Sequence, residues 1–335
     1  MQRIDLEYHF YDSCVIDALA ERKDYPYYDK SADMIHWNSS IAEPQGKRLE
    51  MLLDTSEERI ALMDKCGITT SVISSAPVVE MLDRDTCIRA CRETNDAINR
   101  MVKQYPGRFL GSAVLPVMAV PEACEELERC VKEYGFVAWE THSNYGQTSP
   151  DEDFYRPIFQ KAAELGVYVY LHPTLEYSSR VFDSGFSVAG PGLGFTVDTL
   201  ITITKMIIGG LFDEVPELKI VLGHLGEGLP FLLKRMENRF AFIPNNRLKN
   251  KQKLGFYFKN NIWVSTSGNM SEEAFECTVK ALGIDHIVLG TDYPFENPGA
   301  MIDFLEGLGL DEEQRSMVFY KNAEEFLGIR VENKG

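Results

Sequence analysis

The sequence predicts an α/β fold, a (β/α)8 TIM barrel that forms a single domain over residues 1–335 with insertions at its C-terminal face. Eight short apolar runs alternate with longer segments of helical periodicity, which predicts a parallel sheet because successive parallel strands need a helical crossover. Several runs are apolar on both faces, as expected of strands covered on both sides. Eight such units in about 300 residues match a barrel better than an open doubly wound sheet, whose GxGxxG motif does not follow the first run.

The predicted strands and helices follow one another without a linker, an internal repeat or a low-complexity tract. Helix boundaries are indicated by Ser, Pro or Asp at the start and by Gly at the end. The predicted strands are Ile4–Phe10, Thr69–Ala76, Phe109–Pro116, Phe136–His142, Val167–Pro173, Lys219–Gly226, Asn261–Gly268 and His286–Pro294. The helices with such boundary residues begin at Ser56 or span Pro121–Gly135, Asp151–Gly166 and Ser271–Gly283.

Two long segments interrupt this alternation. Tyr11–Thr55 follows the first strand and is irregular and aromatic, and Glu176–Phe195 follows the fifth strand and is rich in Gly and Ser. Both follow the carboxyl ends of strands, the face at which the active sites of barrel enzymes lie. Loops of this length are usually functional lids or packing insertions, so we expect one of these roles for each.

The composition excludes several classes of function. The chain carries 34 Lys and Arg against 51 Asp and Glu, a formal net charge of −17, which argues against binding to nucleic acid or to an anionic membrane surface. Its first ten residues lack the apolar core of a signal peptide, and no run of 18 apolar residues predicts a transmembrane helix. The seven cysteines form no CxxC pair, which indicates reduced thiols and a cytoplasmic protein.

Polar side chains close most of the predicted strands. Glu7 and His9 are two residues apart on one strand, so both side chains point to the same face. With His172 and Asp292 they supply two imidazoles and two carboxylates, a set that suits one divalent ion such as Zn²⁺, Mn²⁺, Fe²⁺ or Mg²⁺. Taken singly, each residue has a structural alternative: a hydrogen-bonded histidine, a turn aspartate, or a buried ion pair of Glu7 with an arginine. Four of the six histidines lie at predicted strand ends, namely His9, His142, His172 and His224.

His224 and Glu227 lie in the segment GHLGEGLP, which leaves the sixth strand and enters a helix at Leu229-Pro230. Because Glu227 is three residues after His224, its carboxylate can orient the imidazole. A histidine held in this way is a candidate general acid or base. The alternatives are a third metal-bound imidazole or a structural histidine.

Four motifs span nearly the whole chain, namely ExH at Glu7 and His9, LHP at Leu171–Pro173, GHLGEGLPFLLKRMENR at Gly223–Arg239 and LGTDYPF at Leu289–Phe295. In their order and spacing they resemble the amidohydrolase superfamily, specifically its amidohydrolase 2 branch of metal-dependent decarboxylases, which includes γ-resorcylate and 2,3-dihydroxybenzoate decarboxylases. Hydrolytic relatives usually carry HxH in the first motif, and Glu7 in its place resembles the o-hydroxybenzoate decarboxylases. The fourth strand ends in WETH, without the carboxylated lysine of binuclear relatives, which implies one metal ion.

The resemblance implies a metal-dependent, nonoxidative decarboxylase of an o-hydroxybenzoate-type aromatic acid, in which protonation of the ring precedes loss of CO2. The four predicted ligands then hold one divalent ion, Zn²⁺ or Mn²⁺, with Mg²⁺ as a further option. Asp292 is the expected proton donor, and His224, oriented by Glu227, binds the phenol or carries the proton. The expected substrate-binding residues are Phe10, Trp139, His142, Tyr293 and Phe295.

The resemblance further implies a small aromatic acid as the binding partner and a homodimer or homotetramer, because relatives form dimers and tetramers. Arg59 is a weaker candidate for the pocket, and the helical positions of Arg235 and Arg239 favour ion pairs at the surface or at an interface. Two other functions stay open. The first is a mononuclear metal-dependent hydrolase of a lactone or amide, in which the ion lowers the pKa of a water. The second is a barrel that binds a partner without catalysis.

Overall fold

A computed structural model describes residues 1–176, 180–242 and 248–330. Predictions that fall on the remaining residues lie outside this part, and these residues include three positions of the predicted loop Glu176–Phe195. Eight parallel strands form one sheet with the order β1-β5-β6-β7-β8-β9-β10-β11. The predicted TIM barrel is therefore confirmed. The strands are β1 (Ile4–Phe10), β2 (Tyr27–Asp29), β3 (Met34–His36), β4 (Ala42–Gln45), β5 (Thr70–Ser75), β6 (Phe109–Ala113), β7 (Ala138–His142), β8 (Tyr168–His172), β9 (Ile220–Leu222), β10 (Ile262–Ser265) and β11 (Ile287–Val288).

The first and last barrel strands close the sheet through backbone hydrogen bonds. The Leu6 N–H donates to the Leu289 carbonyl at 2.9 Å, and the His9 N–H donates to the Tyr293 carbonyl at 2.7 Å. In the other direction, the Asp292 N–H donates to the Glu7 carbonyl at 3.0 Å. These bonds place the segment after β11 directly beside the carboxyl half of β1.

Helices surround the barrel, and their ends follow the boundary residues that the sequence predicts. Ser56 and Ser271 cap their helices by accepting backbone N–H groups, and Gly135 and Gly166 end theirs with a left-handed residue. The helices are α1 (Ser13–Ala20), α2 (Gly46–Leu53), α3 (Glu57–Cys66), α4 (Arg84–Gln104), α5 (Val120–Tyr134), α6 (Arg156–Leu165), α7 (Phe186–Ala189), α8 (Gly194–Ile208), α9 (Leu211–Glu214), α10 (His224–Glu227), α11 (Leu229–Phe242), α12 (Leu254–Asn260), α13 (Glu272–Leu282), α14 (Pro298–Gly307), α15 (Glu312–Ser316) and α16 (Asn322–Leu327).

Several predicted element boundaries are wrong, most clearly in one helix and in the sixth and eighth strands. The sixth strand ends at Leu222 rather than Gly226, because His224–Glu227 form α10. The helix expected from Asp151 begins at Arg156, because a separate 3₁₀ turn, Asp153–Tyr155, occupies the preceding residues. The last strand ends at Val288 rather than Pro294, since the residues that follow leave the extended conformation and Asp292 is left-handed, with φ 56°.

The first insertion is more regular than expected. Within Tyr11–Thr55 the structure forms the helices α1 and α2 and a small antiparallel sheet of β2, β3 and β4. The strands have three or four residues each, too few to show a periodic pattern in the sequence. The Trp37 Nε1–H donates to the Glu43 carbonyl at 2.7 Å, which links the residue after β3 to the neighbouring strand β4.

One helical segment of the described chain, Phe186–Ile208, is long and apolar enough to cross a membrane by length and composition alone. This is weak evidence, because apolar helices of soluble proteins meet the same criterion. The segment is also broken between α7 and α8, where Gly190 and the residues up to Leu193 are not helical.

Candidate active site

The four predicted metal ligands converge at the carboxyl end of the barrel. Their side-chain atoms all lie within 4.8 Å of one another, and all four residues are buried. The His9 Nε2 atom lies 3.3 Å from Asp292 Oδ1 and 4.0 Å from Glu7 Oε1. The His172 Nε2 atom lies 3.7 Å from Glu7 Oε1 and 3.9 Å from Asp292 Oδ1. Ligand atoms that share a divalent ion at about 2 Å stand at separations of this size.

The hydrogen bonding of these atoms fits a bound cation. In each of these four side chains, one buried atom has no hydrogen-bond partner within the described part of the chain, and it is the atom that faces the centre of the cluster. Such atoms are costly to bury unless something binds them. The chemistry of the set, two imidazole nitrogens and two carboxylate oxygens, suits a divalent ion of the Mn²⁺ or Zn²⁺ type. The unpartnered atoms are Glu7 Oε1, His9 Nε2, His172 Nε2 and Asp292 Oδ1.

In Glu7, His172 and His9, the polar side-chain atom that does not face the cluster contacts another group of the protein. Ser265 donates its hydroxyl hydrogen to Glu7 Oε2 at 2.8 Å, and His172 Nδ1 lies 2.7 Å from the Pro173 carbonyl. The His9 Nδ1 atom lies 3.1 Å from the Ser74 hydroxyl. These contacts orient the first atoms toward the cluster, as outer-shell partners do in metal sites.

Asp292 reaches the cluster because the chain turns sharply after β11. The residue is left-handed, and the N–H groups of Phe295 and Glu296 both donate to its carbonyl. Aspartate tolerates this conformation better than most residues, and such backbone is concentrated at functional sites. Two residues earlier, a Cβ on Gly290 would approach Glu7 Oε2 to 2.9 Å, so only glycine leaves room for the glutamate.

His224 and Glu227 form a dyad at the edge of the cluster. The His224 Nδ1 atom lies 2.5 Å from Glu227 Oε1, and the Thr196 hydroxyl donates to Glu227 Oε2 at 2.7 Å. The free Nε2 of His224 faces Asp292 Oδ2 at 3.9 Å. A Cβ on Gly268 would come within 2.6 Å of the His224 ring, so glycine is needed there for the ring to fit.

The proton distribution follows from these contacts. Burial acts to raise the pKa of Asp292, but the nearby imidazoles of His172, His224 and His9 hold that pKa well below its usual range. Burial acts to lower the pKa of His224, but the Glu227 carboxylate and the nearby Asp292 carboxylate raise it well above its usual value. The proton of the His224–Asp292 pair therefore rests on His224 in the metal-free protein.

A cavity of about 540 Å³ opens above the cluster, a size typical of small-molecule sites. His172, His224 and Asp292 lie at its polar end. Its walls are mainly aromatic or apolar, and the first insertion supplies several of them. The wall residues include Tyr11, Trp37, Pro44, Leu175, Phe186, Phe195 and Phe295.

Of the five residues expected to bind substrate, the structure brings only Phe295 to the cavity wall. Phe10 and Trp139 are fully buried in the hydrophobic core, where Trp139 packs on Phe159 with ring centroids 5.0 Å apart. Tyr293 stacks on Tyr8 at 4.6 Å on the outer side of the barrel. Phe10 and Trp139 directly adjoin His9 and Glu140, which point inward, and neighbours on extended backbone point to opposite faces.

His142 is also placed away from the cavity lining. It is buried beside the cluster, with its Nδ1 atom 2.7 Å from Glu80 Oε1 and its Nε2 atom 3.9 Å from Glu140 Oε1. Its ring stands edge-on to that of His172 at 5.8 Å. The structure therefore gives His142 contacts with acidic side chains rather than with the space above the metal ligands.

Four arginines occupy three different environments, which the sequence did not indicate. Arg59 is fully buried with its guanidinium against the rings of Tyr8 and Tyr293, so it is a structural residue. Arg235 and Arg239 lie on the exposed side of α11. Among the described residues that line the cavity, Arg48 of α2 is instead the one Lys or Arg. Sequence reasoning missed Arg48 and Trp37 because the insertion that carries them shows no periodic pattern.

The chain is similar to several decarboxylases in sequence and in fold. A γ-resorcylate decarboxylase of Polaromonas sp. is 35% identical over 290 residues, which cover 83% of this chain and 89% of that protein. A solved 2,6-dihydroxybenzoate decarboxylase complexed with 2,6-dihydroxybenzoate is 32% identical, with a TM-score of 0.85, and the match covers 98% of this chain and 100% of that one. A dihydroxybenzoic acid decarboxylase from Polaromonas sp. JS666, with bound manganese and the inhibitor 2-nitroresorcinol, is 31% identical, with a TM-score of 0.83 and coverage of 98% and 97%.

The family model described as Amidohydrolase matches residues 57–329, which is most of the chain. The resemblance inferred from the four motifs is thus confirmed, and the motif that lies before residue 57 supplies two of the four clustered ligands. The protein belongs to the amidohydrolase family.

Proposed function

We propose that the protein is a metal-dependent, nonoxidative decarboxylase of a hydroxylated aromatic acid of the o-hydroxybenzoate type. The observation that carries the proposal is the cluster of Glu7, His9, His172 and Asp292 at the polar end of an aromatic cavity, with the His224–Glu227 dyad facing Asp292. The reaction class is confirmed by the relatives, which are named decarboxylases of dihydroxybenzoic acids.

One divalent metal ion is the cofactor, and the manganese bound by the Polaromonas relative supports Mn²⁺ here. When bound, such an ion supplies Lewis-acid chemistry and a template for the oxygens of an acidic substrate. The four ligands hold it through the unpartnered atoms described above. The bound cation also offsets the negative charge that the acidic chain presents to an anionic substrate.

The chain supplies the proton that the reaction requires. Asp292 donates a proton to the ring carbon that bears the carboxylate, so that this carbon becomes tetrahedral and the ring loses its aromaticity. The bond between that carbon and the carboxylate then breaks, its electron pair returns to the ring, and CO2 leaves. His224 faces the second oxygen of Asp292 and passes its own proton to that carboxylate, while Glu227 keeps the imidazole in place.

The cavity walls support an aromatic substrate. Phe295, which the sequence predicts as a substrate contact, lines the cavity and remains a proposed contact. We add four aromatic residues that line the same cavity, namely Tyr11, Trp37, Phe186 and Phe195. Aromatic side chains stack on a planar ring at little entropic cost. Arg48 also lines this wall, where its guanidinium pairs with the carboxylate of Glu43 at 3.5 Å.

The test is to incubate the manganese-loaded protein with a panel of hydroxybenzoates and to measure CO2 release. Asp292→Asn keeps the shape of the side chain and removes its proton, so turnover is expected to fall by about 10² to 10⁴. Asp303→Asn, on α14, is the matched control. Turnover of lactones or amides without CO2 would establish the hydrolase instead, and equal CO2 release by Asp292→Asn and the unchanged protein would exclude Asp292 as the donor.

We also propose a homodimer or homotetramer. The exposed face of α11 carries Phe231 and Phe242, whose exposed fractions are 79% and 76%, and α8 exposes Val197 and Ile201. Apolar side chains this exposed are typical of subunit interfaces. Light scattering after gel filtration is expected to give a dimer or tetramer that Phe231→Ser weakens, whereas a monomeric unchanged protein would exclude the proposal.

A cytoplasmic location and a single domain over residues 1–335 complete the proposed description. All seven cysteines are free, as is usual in a reducing compartment. Cell fractionation tests the location. Limited proteolysis tests the domain, since one domain is expected to yield one resistant core.

A further inference from the structure

His9 presents its second ring nitrogen to two side chains. Its Nε2 atom belongs to the metal-ligand cluster, and its Nδ1 atom lies 3.1 Å from the Ser74 hydroxyl and 3.3 Å from Glu140 Oε1. The side chains of His9 and Glu140 are 0% and 3% exposed, so water does not compete for these contacts. Either the Ser74 hydroxyl or the Glu140 carboxylate can accept the Nδ1–H. The identity of this acceptor decides how firmly the ring holds Nε2 toward the ion.

Glu140 is a buried carboxylate that the proposed reaction does not use. It lies on β7 two residues before His142, so both side chains point into the barrel while Trp139 and Thr141 point away from it. Glu140 Oε1 has no partner with hydrogen-bond geometry in the described part of the chain. The His9 Nδ1 and His142 Nε2 atoms lie 3.3 Å and 3.9 Å from it, and a buried carboxylate needs a polar partner to offset its loss of hydration.

His142 and Glu80 stand behind this carboxylate. The His142 Nδ1 atom lies 2.7 Å from Glu80 Oε1, and both side chains are at most 4% exposed. The other side of the ring faces Glu140 at 3.9 Å. Carboxylate and imidazole side chains therefore alternate in the order Glu80, His142, Glu140 and His9. The pair of Glu80 and His142 limits how far the Glu140 carboxylate can move from His9.

We propose that Glu140 is a positioning residue of the metal centre, which accepts the Nδ1–H of His9 and so directs Nε2 toward the ion, with the Glu80–His142 dyad holding its carboxylate in place. The inference rests on the metal site of the proposed function. Glu7 is held by a serine hydroxyl and His172 by a backbone carbonyl, so His9 is the ligand with a charged acceptor. A carboxylate in this role raises the basicity of the metal-binding nitrogen and also fixes the orientation of the ring.

The first test measures Mn²⁺ affinity by competition with a chelator. Glu140→Gln keeps the size of the side chain and removes its charge, and the affinity is expected to fall about 10- to 100-fold. Ser74→Ala is expected to lose less. Glu126→Gln is the matched control, because Glu126 is a buried glutamate on α5 that pairs with Arg129 and Asn95 far from the cluster. An unchanged affinity in Glu140→Gln, or a larger loss in Ser74→Ala, would overturn the proposal.

A spectroscopic test separates positioning from general support of the fold. In Co²⁺-loaded protein the exchangeable N–H of a ligand histidine gives a proton resonance shifted by the paramagnetic ion. Glu140→Gln is expected to move the His9 resonance and to speed its exchange with water while the His172 resonance stays in place. Equal changes at both histidines, or at neither, would overturn the proposal.

Neither measurement needs a substrate. A protein that loses Mn²⁺ affinity in Glu140→Gln but releases no CO2 from hydroxybenzoates would keep this inference and reject the proposed reaction. If metal analysis instead finds two Mn²⁺ ions per chain of the unsubstituted protein, Glu140 and His142 are ligands of a second ion. That result would reject the positioning role.

Discussion

The Nδ1 atom of His224 lies 2.5 Å from Oε1 of Glu227, and both residues have left-handed backbone. Non-glycine residues adopt that conformation at a cost, which is usually retained where function requires it. The turn allows the carboxylate to reach back three residues to the imidazole. As a result, the Nε2 atom of His224 is directed at Asp292.

Replacing Glu227 by Gln is expected to lower kcat by about 10- to 100-fold, because the imidazole loses the charge that orients it and keeps it protonated. Metal content should stay the same, since Glu227 is not among the four clustered ligands. The measurement is CO2 release together with metal analysis of the same sample. Thr196→Val, which removes only the bond to the other Glu227 oxygen, should lose less activity. Full activity in Glu227→Gln would contradict the role of the dyad.

Removal of the metal is expected to abolish turnover and to lower the melting temperature. Without the ion, two buried carboxylates face each other across the cluster, as the positions of Glu7 and Asp292 require. A ligand present at 1,000 times its Kd stabilises the fold by about 4 kcal/mol, which sets the size of the shift. Differential scanning fluorimetry of the chelated and Mn²⁺-reconstituted protein measures this. A melting temperature that does not respond to Mn²⁺ would exclude a resident ion.

Metal binding is expected to release protons. Burial acts to lower the pKa of His9, but Glu140, Asp292 and Glu7 raise it well above its usual value, so the metal-free ring is protonated at neutral pH. The ion must displace that proton, and the apparent Mn²⁺ affinity should therefore rise with pH until the pKa of metal-free His9 is passed. Calorimetry in two buffers with different ionisation enthalpies measures the protons released. Identical heats in both buffers would contradict the prediction.

Arg59 joins the first insertion to the barrel. Its guanidinium donates to the carbonyls of Met51, Leu52 and Asp54, and it packs against the rings of Tyr8 and Tyr293. Arg59→Met leaves the Met51 and Asp54 carbonyls without these donors, while Leu52 keeps the bond from the Tyr11 N–H, and the free energy of unfolding is expected to fall by about 3 kcal/mol. Urea denaturation measures the change. Arg89→Met, at an exposed position on α4, is the control, and an equal effect of both substitutions would contradict the structural role of Arg59.

Much of the site could be predicted because it follows from local rules. Glu7 and His9 share a strand face by their spacing of two, and a closed parallel barrel brings the carboxyl ends of its strands together. The same rule could have corrected the substrate contacts, since Trp139 directly precedes the inward-pointing Glu140 and must therefore face the helices.

By itself the sequence determined the alternation of eight strands with helices, the four residues proposed to hold the ion, and the pairing of His224 with Glu227. These depend on spacings of two or three residues along one segment. Only the tertiary structure decided that Arg48 and Trp37 line the cavity, that Arg59 is buried, and that Glu140 faces His9. These relationships join segments distant in the chain, and side-chain packing between such segments depends on shape and charge that no local periodicity encodes.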